Sequence, residues 1–382
     1  MTNLPLQTTW FLPRGELSRL IETLRADGYE VVGPTVDQGA IVYSEIRSTD
    51  DLPKGWTETQ GPGQYRLERR TDDAYFGFTV GPHSWKKYLF PPLVTVSTAE
   101  RTPDGWSISD GKNDPPKYAF LGVRACELAA IAVQDRTFLH GPYVDPVYKA
   151  RRDQAFIIAV NCTQAASTCF CTSMGTGPRC TRGFDLALTE LPAGFLVEVG
   201  SPAGEALAAR LPLVEAAEDH TREAEARRQN AVDQIQRRMD TTGIRDLLLQ
   251  NLEHPRWSDV AQRCLSCTNC TMVCPTCFCH SVRDVSDLTG DQARRERQWD
   301  SCFNLDFSYM NGGPVRNDVR SRYRQWLTHK LASWFDQFDV SGCVGCGRCI
   351  TWCPVGIDLT EEVAAIRSSD GLQRPPVSPA AT

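Results

Sequence analysis

At 382 residues the chain is long enough for two or three domains with cores of their own. Its 41% hydrophobic and 23% charged residues exclude a disordered or fibrous protein, and a net charge of −6 offers no basic footprint for nucleic acid. No apolar run reaches the length of a membrane span, and Met1-Thr2-Asn3-Leu4-Pro5 lacks a basic and then apolar signal stretch, so a reducing cytoplasm is expected.

Taken in chain order, Pro13 is expected to open an amphipathic helix, because Leu17, Leu20, Ile21 and Leu24 recur on one helical face. Strand-like runs follow at Tyr29–Val32, Ala40–Ser44 and Tyr75–Val80, and Trp85–Pro92 reads as an ordered loop. Tyr118–Val123 and Ala155–Val160 read as buried strands flanking a helix over Glu127–Leu139, a βαβ unit with parallel strands. Phe195–Val199 is a further strand. Residues 205–250 are rich in Ala, Glu, Arg and Gln and read as helices, with the charged stretch 221–240 a solvated connector.

The expected organisation is an α/β domain with a partly parallel sheet over residues 1–204 and a helical connector over 205–254. An α-helical, ferredoxin-like domain with two [4Fe–4S] clusters follows over 255–362, then a disordered tail over 363–382.

The chain's 16 cysteines cluster too tightly for the disulfides of a secreted protein, which argues for metal. Two runs share the spacing C-x2-C-x2-C-x3-C-P: Cys264, Cys267, Cys270 and Cys274 before Pro275, and Cys343, Cys346, Cys349 and Cys353 before Pro354. That is the two-cluster ferredoxin pattern, in which three thiolates of one loop hold one cluster and the fourth ligates the other. Cluster A is therefore assigned to Cys264, Cys267, Cys270 and Cys353, and cluster B to Cys343, Cys346, Cys349 and Cys274. Zinc also uses C-x2-C pairs, but not this doubled pattern with a fourth cysteine before proline.

Parallel strands end at one sheet edge, where ligands gather. Cys126 follows the first βαβ strand and Cys162 the second, and the loop with Cys169 and Cys171 starts from the same edge. A third [4Fe–4S] cluster is expected on Cys162, Cys169, Cys171 and one more thiol, with Cys126 the choice from the sheet edge and Cys180 its rival. Ser173–Pro178 reads as a loop wrapping that cluster rather than as a nucleotide cradle. Cys277, Cys279 and Cys302 read as structural thiols near the clusters, and His280 as a hydrogen-bonding neighbour. No catalytic triad, carboxylate pair or H-E-x-x-H helix is present, so no substrate chemistry is assigned to the chain.

Gly122-Val123-Arg124-Ala125-Cys126, Thr168-Cys169-Phe170-Cys171-Thr172-Ser173-Met174-Gly175-Thr176-Gly177-Pro178, Pro275-Thr276-Cys277-Phe278-Cys279, Arg297-Gln298-Trp299-Asp300-Ser301-Cys302 and Val344-Gly345-Cys346-Gly347-Arg348-Cys349 occur in order. Over residues 75–362 this resembles the iron–sulfur β subunit of NADP-linked cytoplasmic [NiFe] hydrogenases of the sulfhydrogenase type. The A subunit of anaerobic sulfite reductase is closely similar. The resemblance implies a non-catalytic subunit that passes electrons between an NAD(P)H-reactive flavoprotein and the hydrogenase small and large subunits. The alternatives are the same task beside a sirohaem sulfite reductase, or a free-standing ferredoxin-like carrier or redox sensor.

Overall fold

The computed structural model describes residues 9–111 and 114–369. Strand β1 (Trp10–Pro13) leads through a 3-10 turn into helix α1 (Leu17–Ala26), so Pro13 closes a strand rather than opening the helix. Leu17, Leu20, Ile21 and Leu24 are buried as one face, as their spacing demands. Strands β2 (Glu30–Asp37) and β3 (Ala40–Glu45) form a hairpin through Gln38 and Gly39, both left-handed. A second hairpin joins β4 (Trp56–Gly61) and β5 (Gln64–Arg69).

Tyr75–Val80 is not a strand. Its backbone groups are satisfied by side chains instead of a ladder: Tyr75 and Phe76 N–H donate to the Glu190 carboxylate at 2.7 and 2.8 Å, and Thr79 N–H donates to Glu58 at 2.9 Å. Within the expected loop 85–92 there is one helical turn, α2 (Lys86–Leu89). Strands β6 (Leu93–Thr102) and β7 (Gly105–Asp110) follow.

The βαβ unit is present as β8 (Tyr118–Val123), α3 (Ala125–Phe138), the short helix α4 (Pro146–Arg152) and β9 (Phe156–Val160). With β10 (Leu186–Leu191), β11 (Gly194–Val199) and, after helix α5 (Pro202–Ala208), β12 (Val214–Glu215), it completes an eight-stranded sheet. The order is β12-β1-β11-β10-β9-β8-β2-β3, parallel across β10-β9-β8-β2 and antiparallel at both flanks. Helix α6 (Glu218–Gln234) is the charged stretch read as a solvated connector. It is anchored rather than free: Ala224, Arg228 and Ala231 are buried, and it packs on β10 and β11.

The remaining half holds α7 (Ile244–Gln250), α8 (Arg256–Arg263), α9 (Asn269–Met272), strands β13 (His280–Ser286) and β14 (Gln292–Trp299), and α10 (Val319–Thr328). A π-helical turn, His329–Ser333, joins α10 to α11 (Trp334–Phe338), and α12 (Arg348–Thr351) and α13 (Leu359–Ser369) follow. This half is not purely helical. The β13–β14 hairpin joins β6 and β7 in a four-stranded antiparallel sheet, ordered β13-β14-β6-β7, that ties the two halves together. Its strands are polar on both faces, so no apolar alternation announces them. Helix α13 runs seven residues into the span expected as a disordered tail; residues 370–382 lie outside the described residues.

Candidate iron–sulfur sites

Each doubled cysteine run is a tight loop ending on a short helix. In the first, Ser266 and Thr268 take left-handed conformations (φ 50° and 68°) and Cys270 sits on α9. In the second, Gly345 and Gly347 occupy the matching positions (φ 67° and 76°) and Cys349 sits on α12. The same backbone curl thus turns successive thiols inward in both runs. α9 and α12 pack together, which brings the fourth cysteine of each run to the other run's loop.

The first cavity is lined by Cys264, Cys267, Cys270 and Cys353, and also by Cys349. Phe303, Tyr323, Trp326 and Ile357 give it an apolar wall. Backbone N–H groups point at its sulfurs: Ser266 to Cys264 at 3.4 Å and Ile357 to Cys353 at 3.3 Å.

The second set is Cys343, Cys346, Cys349 and Cys274, whose charges act on one another. Gly345 N–H donates to Cys343 Sγ at 3.5 Å. The buried ammonium of Lys330 donates to Cys274 Sγ at 3.2 Å, to Thr276 Oγ1 at 3.1 Å and to the Gly342 carbonyl at 3.1 Å. Lys330 lies on the π-helical turn, a local rewinding often found where a side chain must be aimed.

The third cavity lies at the end of the parallel strands and is lined by Cys126, Cys162, Cys169 and Cys171. Cys180 does not line it. It is 2% exposed, its N–H donates to Asn161 Oδ1 at 2.7 Å, and it packs in the core beneath α3. Gly345 and Cys346 also border this cavity, so the second run touches the third site. Ser173–Pro178 wraps it: Thr176 N–H donates to the Cys171 carbonyl at 3.0 Å and its hydroxyl to the Val344 carbonyl at 2.6 Å.

The thiols share an electrostatic predicament. Burial, and then repulsion from neighbouring sulfurs, pushes Cys270 and Cys349 upward. Burial pushes Cys343 and Cys169 up to about 12. Packed buried thiolates are unfavourable unless a cationic core compensates them, and a soft, multi-iron core suits all-sulfur donors. Among the described residues no three His, Cys, Asp or Glu side chains converge as on a single ion; the thiols of the first and third sets line cavities instead.

Several buried cations near these sites carry no signal in the cysteine pattern. Arg124 reaches the Phe76 and Phe78 carbonyls at 3.0 and 2.8 Å and hydrogen-bonds the Cys162 thiol. Arg348, inside the second run, forms a fully buried ion pair with Glu127 and donates to the Gly81 and His83 carbonyls, each at 2.9 Å. Lys330 stands well before the second run, and only the fold brings it to Cys274.

Residues 263–357 match the model of a 4Fe-4S dicluster domain. The chain is 29% identical over 343 residues to the sulfhydrogenase 2 subunit beta of Pyrococcus furiosus, a match spanning 88% of this chain and 92% of that protein. No solved structure matches.

Proposed function

From this likeness to a hydrogenase β-type iron–sulfur subunit, we propose that the chain relays electrons between an NAD(P)H-reactive flavoprotein and a [NiFe] hydrogenase module, as a cytoplasmic, non-catalytic member of a complex. The observation that carries the reading is the chain of contact between the three cysteine sites. Cys346 borders the third cavity while Cys349, three residues on, borders the first. The second set therefore lies between the other two, an arrangement that suits a linear relay.

In this reading Cys264, Cys267, Cys270 and Cys353 hold cluster A, and Cys343, Cys346, Cys349 and Cys274 hold cluster B. Cys126, Cys162, Cys169 and Cys171 hold the third cluster. When bound, [4Fe–4S] clusters supply one-electron carriers. The protein's own part is to seat them, to keep water from them with Phe303, Tyr323 and Trp326, and to set their potentials with N–H···S bonds and buried cations. Among the described residues no helix is long and apolar enough to cross a membrane.

The test is anaerobic isolation of the tagged chain from its host with metal and cofactor analysis of the complex. Nickel and flavin beside iron and sulfide are expected. Sirohaem without nickel would move the subunit to a sulfite reductase, and a lone 42.5 kDa chain would overturn the complex. Cys162→Ala should lower iron by about one cluster's worth; unchanged iron would remove the third cluster.

A further inference from the structure

Four thiols stand outside the cysteine sets: Cys180, already placed in the core, and Cys277, Cys279 and Cys302. Cys277 hydrogen-bonds to Cys274 and is buried. Cys279 and Cys302 form a different arrangement, at the base of the β13–β14 hairpin. The ladder ends at the pair His280 and Trp299, and Asp300 N–H then donates to the Cys279 carbonyl at 2.9 Å. The chain turns at Ser301, whose hydroxyl accepts from Phe303 N–H at 3.1 Å. The Cys302 thiol and its backbone N–H both hydrogen-bond the Cys279 sulfur. Both residues are partly exposed, unlike Cys277.

A buried lysine lies behind the pair. Lys86 is buried, and its ammonium donates to the Cys277 carbonyl at 3.1 Å and sits 4.0 Å from the centre of the Trp299 ring. That anchors it to the residues flanking both ends of the hairpin. The hydrogen bonds from Cys302, against the opposing effect of burial and with help from Lys330 and Lys86, bring the Cys279 thiol down to about 7. The same bond, with burial, drives Cys302 the other way. One sulfur is thereby prepared as a nucleophile at neutral pH and the other as a protonated neighbour in hydrogen-bonding reach.

We propose that Cys279 and Cys302 are a thiol–disulfide exchange site for small-molecule disulfides of the glutathione class, with Cys279 attacking and Cys302 resolving. In the first step the Cys279 thiolate attacks one sulfur of the external disulfide. An S–S bond to Cys279 forms, the external S–S bond breaks, and one thiolate leaves. In the second step Cys302 attacks the Cys279 sulfur. The Cys279–Cys302 bond forms and the second external thiol leaves with the Cys302 proton. The dithiol is oxidised by two electrons, and the external disulfide is reduced to two thiols. The reaction needs no iron, so it stands or falls apart from the electron-relay reading.

The experiment uses the full holoprotein under anaerobic conditions, equilibrated with glutathione and glutathione disulfide over a range of ratios. The samples are acid-quenched, alkylated and mapped by peptide mass spectrometry, with iron measured in parallel. Wild type should show a Cys279–Cys302 link that rises with the disulfide fraction while iron is retained. Cys302→Ser should instead accumulate a glutathione adduct on Cys279, about tenfold above the adduct on Cys302 in Cys279→Ser, because an ordinary thiol is only a few per cent thiolate at pH 7. Cys302→Ala is the second variant and should trap the same adduct. Alkylated, unlinked thiols at every ratio, or no Cys279 adduct in either Cys302 variant, would overturn the proposal. So would loss of a bound metal in Cys279→Ser, since the pair would then be ligands.

Discussion

The two doubled cysteine runs are alike in spacing and unlike in surroundings. Leu265 of the first is 64% exposed, and its counterpart Val344 is 3% exposed. The left-handed positions are Ser266 and Thr268 in the first run and Gly345 and Gly347 in the second. The reason is packing. A Cβ on Gly345 would meet the Cys171 backbone at 2.7 Å, and one on Gly347 the Thr168 carbonyl oxygen at 2.5 Å. The first run curls beside solvent, where a side chain can be carried at the cost of some backbone strain; the second is pressed against the third site's loop, where it cannot. Asn269 faces outward enough to donate to the Trp352 carbonyl at 3.2 Å, whereas its counterpart Arg348 is buried on Glu127. One motif is therefore a surface site and the other a structural keystone.

Exchanging residues between the runs breaks this comparison most severely at Arg348. Arg348→Asn copies the first run and strands the Glu127 carboxylate, which otherwise keeps only the Tyr43 hydroxyl at 3.0 Å, Trp85 Nε1 at 3.1 Å and Arg124 N–H at 3.0 Å. A loss of about 3–5 kcal/mol is expected, read as a fall in the denaturant midpoint of the anaerobic holoprotein. A change below about 1 kcal/mol would mean that the pair does not hold the second run in place.

Gly347→Thr copies Thr268 and should cost about 2–3 kcal/mol, through overpacking against the Thr168 carbonyl, with lowered iron content. A variant with normal iron and midpoint would show that the two loops separate freely.

A third contrast lies in the charges. The fourth cysteine of the first set, Cys353, accepts a backbone N–H, whereas that of the second set, Cys274, accepts the Lys330 ammonium. Lys330→Met should lower the reduction potential of one cluster by on the order of 50 mV, the scale set by losing a charge-assisted hydrogen bond to the reduced site. Redox titration followed by electron paramagnetic resonance reads it, and equal shifts in every cluster would dissolve the contrast.

The smallest effect is the reverse exchange. Ser266→Gly and Thr268→Gly relieve left-handed strain but lose unfolded-chain restriction, so each should change stability by less than about 1 kcal/mol. Differential unfolding of the four loop variants side by side tests whether position or residue type governs the cost.

The candidate site was legible to very different degrees. The cysteine spacings alone pointed to the ligands proposed for two clusters, because ligand spacing in a tight loop is a local property. The sheet-edge argument placed Cys126 with Cys162, Cys169 and Cys171, because buried apolar strands such as Phe156–Val160 are readable and parallel strands share an end. The α1 face and the βαβ unit were readable for the same reason of strong periodicity.

By itself, then, the sequence determined which cysteines share a cluster-binding spacing and which segments form the α/β core. Only the tertiary structure decided that the polar β13–β14 hairpin completes a sheet with β6 and β7, and that Tyr75–Val80 hands its N–H groups to Glu190 and Glu58. It also decided that Lys330 meets Cys274, that Lys86 lies behind Trp299, and that Cys302 returns to Cys279. Those contacts join residues far apart along the chain, and a buried cation or a two-faced polar strand leaves no periodic trace, because its stability comes from partners that folding brings to it.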